Sequence, residues 1–310
     1  VLETWLTREL GITIPLVGAP MGGRAGGSLA GEVTRAGGLG LIGAARYNTA
    51  EWLEEQARSA REIGGGLLGF GLMTWSLHDD DSLLGAVLEH HPQVVTLSFG
   101  DPAPYVQRVH DAGAVVISQI NTLEDLRVVE AAGVDAVVAQ GHEAGGHTGR
   151  IGTLPLLQEV LESTELPVLA AGGIGSGRGL AAVLAAGGVG ALVGTALLAS
   201  PETVGPDYAR DRLIAAGSAD TVYTDVFDRA RRQPWPARWG GRALVNSFTE
   251  TWHGRGADEQ TLADEYTADD PDIGVVYAGE AAGLVRAQRP AADVIRDMGA
   301  QAEELLGRFH

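Results

Sequence analysis

Eight short apolar runs, each leading into a helix-like stretch, predict an α/β fold whose strands close into a (β/α)8 TIM barrel. The runs cover residues 14–19, 39–44, 67–73, 94–99, 114–120, 136–140, 167–171 and 190–195. Several are apolar throughout, without the alternation of a half-exposed sheet, as strands buried on both faces require. Helix starts lie between them. Asn48 and Thr49 precede Glu51-Trp52-Leu53-Glu54, and Thr122 precedes Leu123-Glu124-Asp125, each a capping residue with acids in the first turn. Strand–helix alternation implies parallel pairing with helical crossovers, and eight units suit a closed barrel better than an open sheet.

The alternation stops after Ser200. Charged helical patterns and an Arg- and Trp-rich stretch at 229–242 follow, without another strand of the earlier type, so residues 201–272 are expected to form a smaller, mainly helical second domain. The apolar run 273–279 and a final helix over 290–308 are expected to pack back on the barrel, giving a main domain of 1–200 plus about 273–310.

Composition removes whole classes of chemistry. All 22 basic residues are Arg and there is no Cys. Schiff-base lysines, P-loop lysines, thiolate nucleophiles, disulfides and cysteine metal sites are therefore excluded. Catalysis falls to His, Asp, Glu, Arg, Tyr, Ser, backbone amides or a cofactor. A net charge of −18 disfavours nucleic acid and anionic membranes as partners. No apolar run reaches the ~20 residues of a membrane span, and the start of the chain lacks a secretory pattern, so a cytoplasmic protein is expected.

In a barrel of this kind the active site lies at the C-terminal ends of the strands. After the first run comes Gly18-Ala19-Pro20-Met21-Gly22-Gly23, where Pro20 ends the strand and small residues admit a flat ligand against the backbone. After the seventh and eighth runs come Gly172-Gly173-Ile174-Gly175 and Gly194-Thr195, where bare backbone N–H groups can cradle a phosphate. A glycine-rich turn alone can be no more than a tight turn, but its occurrence after both strands favours the phosphate reading. After the sixth run lies Gln140-Gly141-His142-Glu143-Ala144-Gly145-Gly146-His147, in which a His can serve as general base near neutral pH. The glycines oppose the helix that would pair His142 and His147 on a metal, so none is expected. Two G-x-G-x-x-G matches, at 38–43 and 64–69, fall before or within strands and lack the context of a dinucleotide site.

Together, Ala19-Pro20-Met21, Ala36-Gly37-Gly38-Leu39-Gly40, Gln140-Gly141-x-Glu143-Ala144-Gly145-Gly146-His147, Ala170-Ala171-Gly172-Gly173-Ile174, Gly194-Thr195 and Tyr277-Ala278-Gly279 resemble the nitronate monooxygenase (2-nitropropane dioxygenase) family. The resemblance implies an FMN-dependent barrel with a helical domain over the flavin. It places cofactor contacts on Ala19, Pro20, Met21, Gly22, Gln140, Gly145, Gly146, Gly172, Gly173, Gly194 and Thr195, the catalytic base at His147, and a substrate pocket at Met21, His142 and Tyr277. The chain departs from the family at Gly71, where many members carry an Asn near the flavin, and at Thr148, where Arg is frequent.

The activity implied is oxidation of alkyl nitronates by O2 to a carbonyl compound and nitrite. Two alternatives share the scaffold: an NAD(P)H-dependent FMN reductase resembling the enoyl-acyl-carrier-protein reductases or quinone reductases, and a flavin-binding protein without turnover. The expected partners are a small-molecule substrate and O2, and a homodimer is compatible with the residues. The 229–242 stretch, with Trp235 and Trp239, is expected to be a helical surface or domain contact rather than a nucleotide site.

Overall fold

The computed structural model describes residues 2–308; Val1, Phe309 and His310, at the ends of the expected main domain, lie outside the described residues. Its strands in chain order are β1 (Leu16–Gly18), β2 (Leu39–Gly43), β3 (Gly69–Met73), β4 (Val94–Ser98), β5 (Val115–Ile120), β6 (Ala136–Gln140), β7 (Gly146–Thr148), β8 (Val168–Ala171), β9 (Gly190–Val193), β10 (Thr221–Thr224) and β11 (Gly240–Leu244). Each of the eight apolar runs contains one strand of a closed parallel barrel, ordered β1-β2-β3-β4-β5-β6-β8-β9. The barrel closes where Val17 pairs with Leu192.

The missing alternation has a direct cause. Val17, Leu39, Leu41, Ile117, Val138, Leu169 and Leu192 pack in one buried cluster with Leu6 and Ile12 from the N-terminal segment. Their strand neighbours Leu16, Ile42, Val116, Val137 and Ala170 join a second cluster with helical residues such as Leu29, Leu53 and Leu126. Both faces of each strand are dry, so both face codes read apolar. Two expected helix starts are also seen: Thr49 accepts from Trp52 N–H, and Thr122 from Asp125 N–H. Each such cap stabilises its helix by about 1 kcal/mol. Of the two G-x-G-x-x-G stretches, the first runs along β2 and the second joins a helix end to β3.

Residues 201–272 contain the helices Asp207–Ala215, Val226–Ala230, Ser247–Trp252 and Glu259–Glu265, with a cluster of their own around Phe227, Phe248 and Leu262. They also contain β10 and β11, which the sequence reading had not anticipated. These two form an antiparallel sheet with β7, a stretch read as loop. Thr221-Val-Tyr-Thr and Gly240-Gly-Arg-Ala-Leu lack the continuous apolar code of barrel strands because they pair outside the barrel. The consequence is positional: Gly241 lies opposite His147, so the cap hydrogen-bonds directly to the loop after β6. The last helix, Ala291–Gly307, lies against the helices Gly177–Ala185 and Gly27–Arg35.

Candidate active site

A cavity of about 500 Å3 opens at the C-terminal ends of the barrel strands, beneath the antiparallel sheet. That volume is in the usual range for small-molecule and cofactor sites. Its floor takes Ala19, Pro20, Met21 and Gly22 from the loop after β1, Gln140 from the end of β6, and Gly172, Gly173, Gly194 and Thr195 from the loops after β8 and β9. Gly145, Gly146, His147 and Tyr277 also line it. Residues from distant positions along the chain, predicted one by one, thus meet around one space.

The floor is mostly backbone. Gly173 has φ +72°, the left-handed region that glycine enters without strain, and a Cβ there would come no closer than 3.5 Å to Glu143. The N–H groups of Gly173 and Gly194 make no hydrogen bond with the described residues. Thr195 accepts from Gly279 N–H at 2.9 Å, which leaves its hydroxyl proton free to donate. Of the acids and bases, only Arg24 and Arg231 are full charges on the described cavity lining, and no Asp or Glu is among the lining residues. Arg231 is paired with Asp228 behind the lining, so the surplus positive charge is that of Arg24; in a chain of net charge −18, a lining without a carboxylate still favours an anionic ligand over a cationic one.

The Gly71 departure has a steric reason. A Cβ at Gly71 would lie 2.2 Å from Cγ of Pro20 and 2.7 Å from Oγ1 of Thr96, so no side chain fits there while Pro20 holds its place. Two strands further round, Nε2 of Gln119 is buried without a hydrogen-bond partner, and Gln119 lines the cavity. A buried, unsatisfied donor is costly unless a ligand accepts a hydrogen bond from it. Gln119 is the penultimate residue of β5, close to the strand end where the barrel rule points.

The roof is built from side chains. The His147 ring is 3.4 Å from that of Trp235 at an interplanar angle of 7°, and its Nε2 lies 2.7 Å from Oδ2 of Asp228. The second oxygen of Asp228 accepts from the Tyr277 hydroxyl at 3.0 Å and is 3.4 Å from Nη2 of Arg231. Burial pushes the Tyr277 phenol well above its ordinary value; Arg231 opposes the rise and Asp228 adds to it, so the hydroxyl remains a donor. Below the ring, Gln140 Nε2 donates to the His147 carbonyl at 3.1 Å, and Asn121 Nδ2 donates to Gln140 Oε1 at 2.9 Å. Trp239 Nε1 donates to Asn121 Oδ1 at 3.0 Å. The two tryptophans expected at a surface or domain contact thus hold the site: Trp239 buttresses its base, and Trp235 is part of its wall. Phe99 lines the same wall with φ +66° and packs edge-on against both tryptophan rings. Such a conformation in a non-glycine residue costs of order 1–3 kcal/mol and is held by its surroundings.

One predicted pocket residue is elsewhere. His142 does not line the cavity. Its ring packs on Tyr223, and Arg242 donates to its carbonyl and to its ring. Adjacent strand residues point to opposite faces: Arg242 pairs with Gly146 and turns away from the cavity, taking His142 with it, whereas Gly241 pairs with His147. Burial, then the Arg242 charge, lowers the His142 pKa. Glu143 is structural, accepting from the N–H and hydroxyl of Thr153 at the start of the helix Thr153–Leu161. Gly145 is needed for close approach, since a Cβ there would meet Gly279 N at 2.5 Å. Arg231 and Trp235 belong to the Arg- and Trp-rich stretch 229–242, whose composition stands out without pointing to this cavity, whereas Asp228 lies just before it with no local signal.

The family model described as nitronate monooxygenase matches residues 71–301. A nitronate monooxygenase of Neurospora crassa is 29% identical, over 95% of this chain and 90% of that protein. The structure of a nitroalkane oxidase from Streptomyces ansochromogenes is similar at a TM-score of 0.84 and 31% identity, covering 98% of this chain and 99% of that one. FabK from Thermotoga maritima is similar at a TM-score of 0.85 and 28% identity, covering 100% and 99%. No helix among the described residues is long and apolar enough to cross a membrane. With the match running from the third barrel strand into the last helix, the chain belongs to the nitronate monooxygenase family of oxidoreductases.

Proposed function

We propose that the protein binds FMN and oxidises alkyl nitronates, and the nitroalkanes that give rise to them, to a carbonyl compound and nitrite with O2. The observation that carries this reading is a cavity lined by two arginines and no carboxylate, with an imidazole in its roof. Both the cofactor phosphate and a nitronate are anions, and this is the part of an acidic molecule that would accept them. The residues present fit the cofactor. The free N–H groups of Gly173 and Gly194 and the Thr195 hydroxyl would hold the phosphate, and the unpartnered Gln119 Nε2 would donate to a polar edge of the ring system. FMN, when bound, supplies the redox chemistry that no side chain of this chain can.

The protein's own part is to bind, orient and take a proton. Met21 and Tyr277 line the space where an alkyl group would lie, and Trp235 and Phe99 exclude water from one side. His147 is the base for a neutral nitroalkane: it takes the proton from the carbon bearing the nitro group, and the C–H electron pair becomes the C=N bond of the nitronate. Arg231 supplies positive charge near the resulting anion.

The likeness to FabK supports a second reading on the same scaffold, an FMN reductase using NADH or NADPH. One experiment separates them: the anaerobic absorption spectrum of the purified protein, recorded before and after propyl nitronate and then after NADH. A flavin spectrum bleached by propyl nitronate is expected. Bleaching by NADH alone moves the assignment to the reductase. A colourless protein that FMN does not reconstitute overturns both.

A further inference from the structure

We propose that Asp228 is the positioning residue of the His147 base, fixing the imidazole as the Nε2–H tautomer so that Nδ1 is the atom that takes the substrate proton. The proposal rests on the reading of His147 as a base. The ring is held at one nitrogen and covered on one face. Nε2 lies 2.7 Å from a buried carboxylate oxygen, and two bare acceptors at that distance would repel, so Nε2 carries hydrogen. One face of the ring is covered by Trp235 at 3.4 Å, and Tyr277 lies tilted against the ring at a centroid distance of 5.5 Å. Nδ1 makes no hydrogen bond with any described residue, and it is not among the side-chain atoms sealed from solvent without a partner. The Nδ1 edge is therefore the part of the ring open to the cavity that His147 lines.

Asp228 is itself held in one orientation. Its Oδ1 receives the Tyr277 hydroxyl at 3.0 Å and faces Arg231 Nη2 at 3.4 Å, while Arg231 Nη2 also donates to the Tyr277 oxygen at 2.8 Å. With donors on one oxygen, the other is committed to the imidazole. The charged or titratable groups facing His147 are Asp228, Arg231 and Tyr277. Arg242, on the neighbouring strand β11, points to the opposite face toward His142 and Glu280. In the proton transfer, the substrate's C–H electron pair stays with the substrate as the nitronate, the proton goes to Nδ1, and the imidazolium keeps its Nε2–H on Asp228.

Asp228→Asn tests this in the FMN-loaded enzyme. The donors Tyr277 and Arg231 would claim the amide oxygen and turn its NH2 toward Nε2, forcing the hydrogen onto Nδ1. Nitrogen-15 spectra of His147, assigned with His147→Asn, are expected to show Nε2–H in the wild type and Nδ1–H in Asp228→Asn. Turnover of neutral nitroethane is expected to fall by about 10²-fold, and oxidation of preformed ethyl nitronate by less than about 5-fold, at equal flavin content. Tyr277→Phe, which removes one of the donors, is expected to give the same asymmetry at smaller size. An Nδ1–H tautomer in the wild type, or equal losses on both substrates, overturns the proposal. If the wild type oxidises no nitronate, the functional reading fails, and the tautomer measurement still decides the role of Asp228.

Discussion

The floor and the roof of the cavity are built by opposite means. The floor is backbone: Gly172, Gly173, Gly194 and Thr195 follow directly on barrel strands, and what they offer is mainly N–H groups and empty space. The roof is an assembly of side chains, with His147 meeting Asp228 across 81 residues and Asp228 meeting Tyr277 across 49. On the proposed function, the floor would hold an anionic cofactor and the roof would act on the substrate above it. The difference then teaches that binding and chemistry are open to separate perturbation.

The sharpest way to break that separation is His147→Asn. Turnover of neutral nitroalkanes is expected to fall by about 10²–10⁴-fold, as for loss of a general base, with flavin content unchanged on the absorption spectrum. Loss of flavin together with activity would show that the roof also holds the cofactor. On the floor, Gly172→Ala is expected to act in reverse. Gly172 has φ +106°, and a Cβ there would lie 2.7 Å from Thr153 Oγ1, a combination costing roughly 1–3 kcal/mol. FMN affinity, measured by fluorescence titration of the apoprotein, is expected to drop about 10-fold or more, since 1.4 kcal/mol is a factor of ten. The reconstituted variant is expected to keep most of its kcat.

Trp235→Phe is a smaller change, made within the roof. It shortens the stack on His147, an interaction worth about 0.5–1.5 kcal/mol, so kcat/KM for nitroethane is expected to fall only a few-fold. Longer nitroalkanes are expected to gain relative to it as the wall recedes, and steady-state kinetics on an alkyl series reads the crossover. The smallest effect concerns His142, outside the cavity. Its folded-state pKa lies below the ordinary value, so the unfolded chain takes up its proton first as pH falls. Its stabilising contribution is complete above about pH 6.5 and is lost as the pH drops below it. Thermal melts of His142→Gln are expected to show a weaker decline of Tm between neutral and mildly acidic pH than the wild type, with activity at neutral pH little altered.

Legibility in the sequence divides along the same line. Each element of the floor lies within a few residues of an apolar run, so the rule that barrel sites sit at strand C-termini was enough to find Ala19 to Gly22, Gln140, Gly172, Gly173, Gly194 and Thr195. Gln119 lies inside the run 114–120 rather than after it, so a rule that looks just beyond each run does not single it out. The roof had no comparable rule. Nothing near Asp228 in Thr224-Asp225-Val226-Phe227-Asp228 separates it from a solvated acid, and Trp235 sits between prolines in a stretch that reads as surface. His142 and His147 look alike along the chain, and only the pairing of Gly146 with Arg242 and of His147 with Gly241 sends them to opposite faces.

The sequence by itself determined the barrel and its eight strands, because these follow from periodicity and chemistry within short windows, and it singled out the glycine turns that line the cavity at the barrel's mouth. It also ruled out lysine and cysteine chemistry by their absence. Tertiary structure alone decided which histidine faces the cavity, which acid stands behind it, and that Gly71 has no room for a side chain beside Pro20. Those outcomes depend on strand register and on contacts between residues far apart in the chain, and a linear sequence carries neither directly.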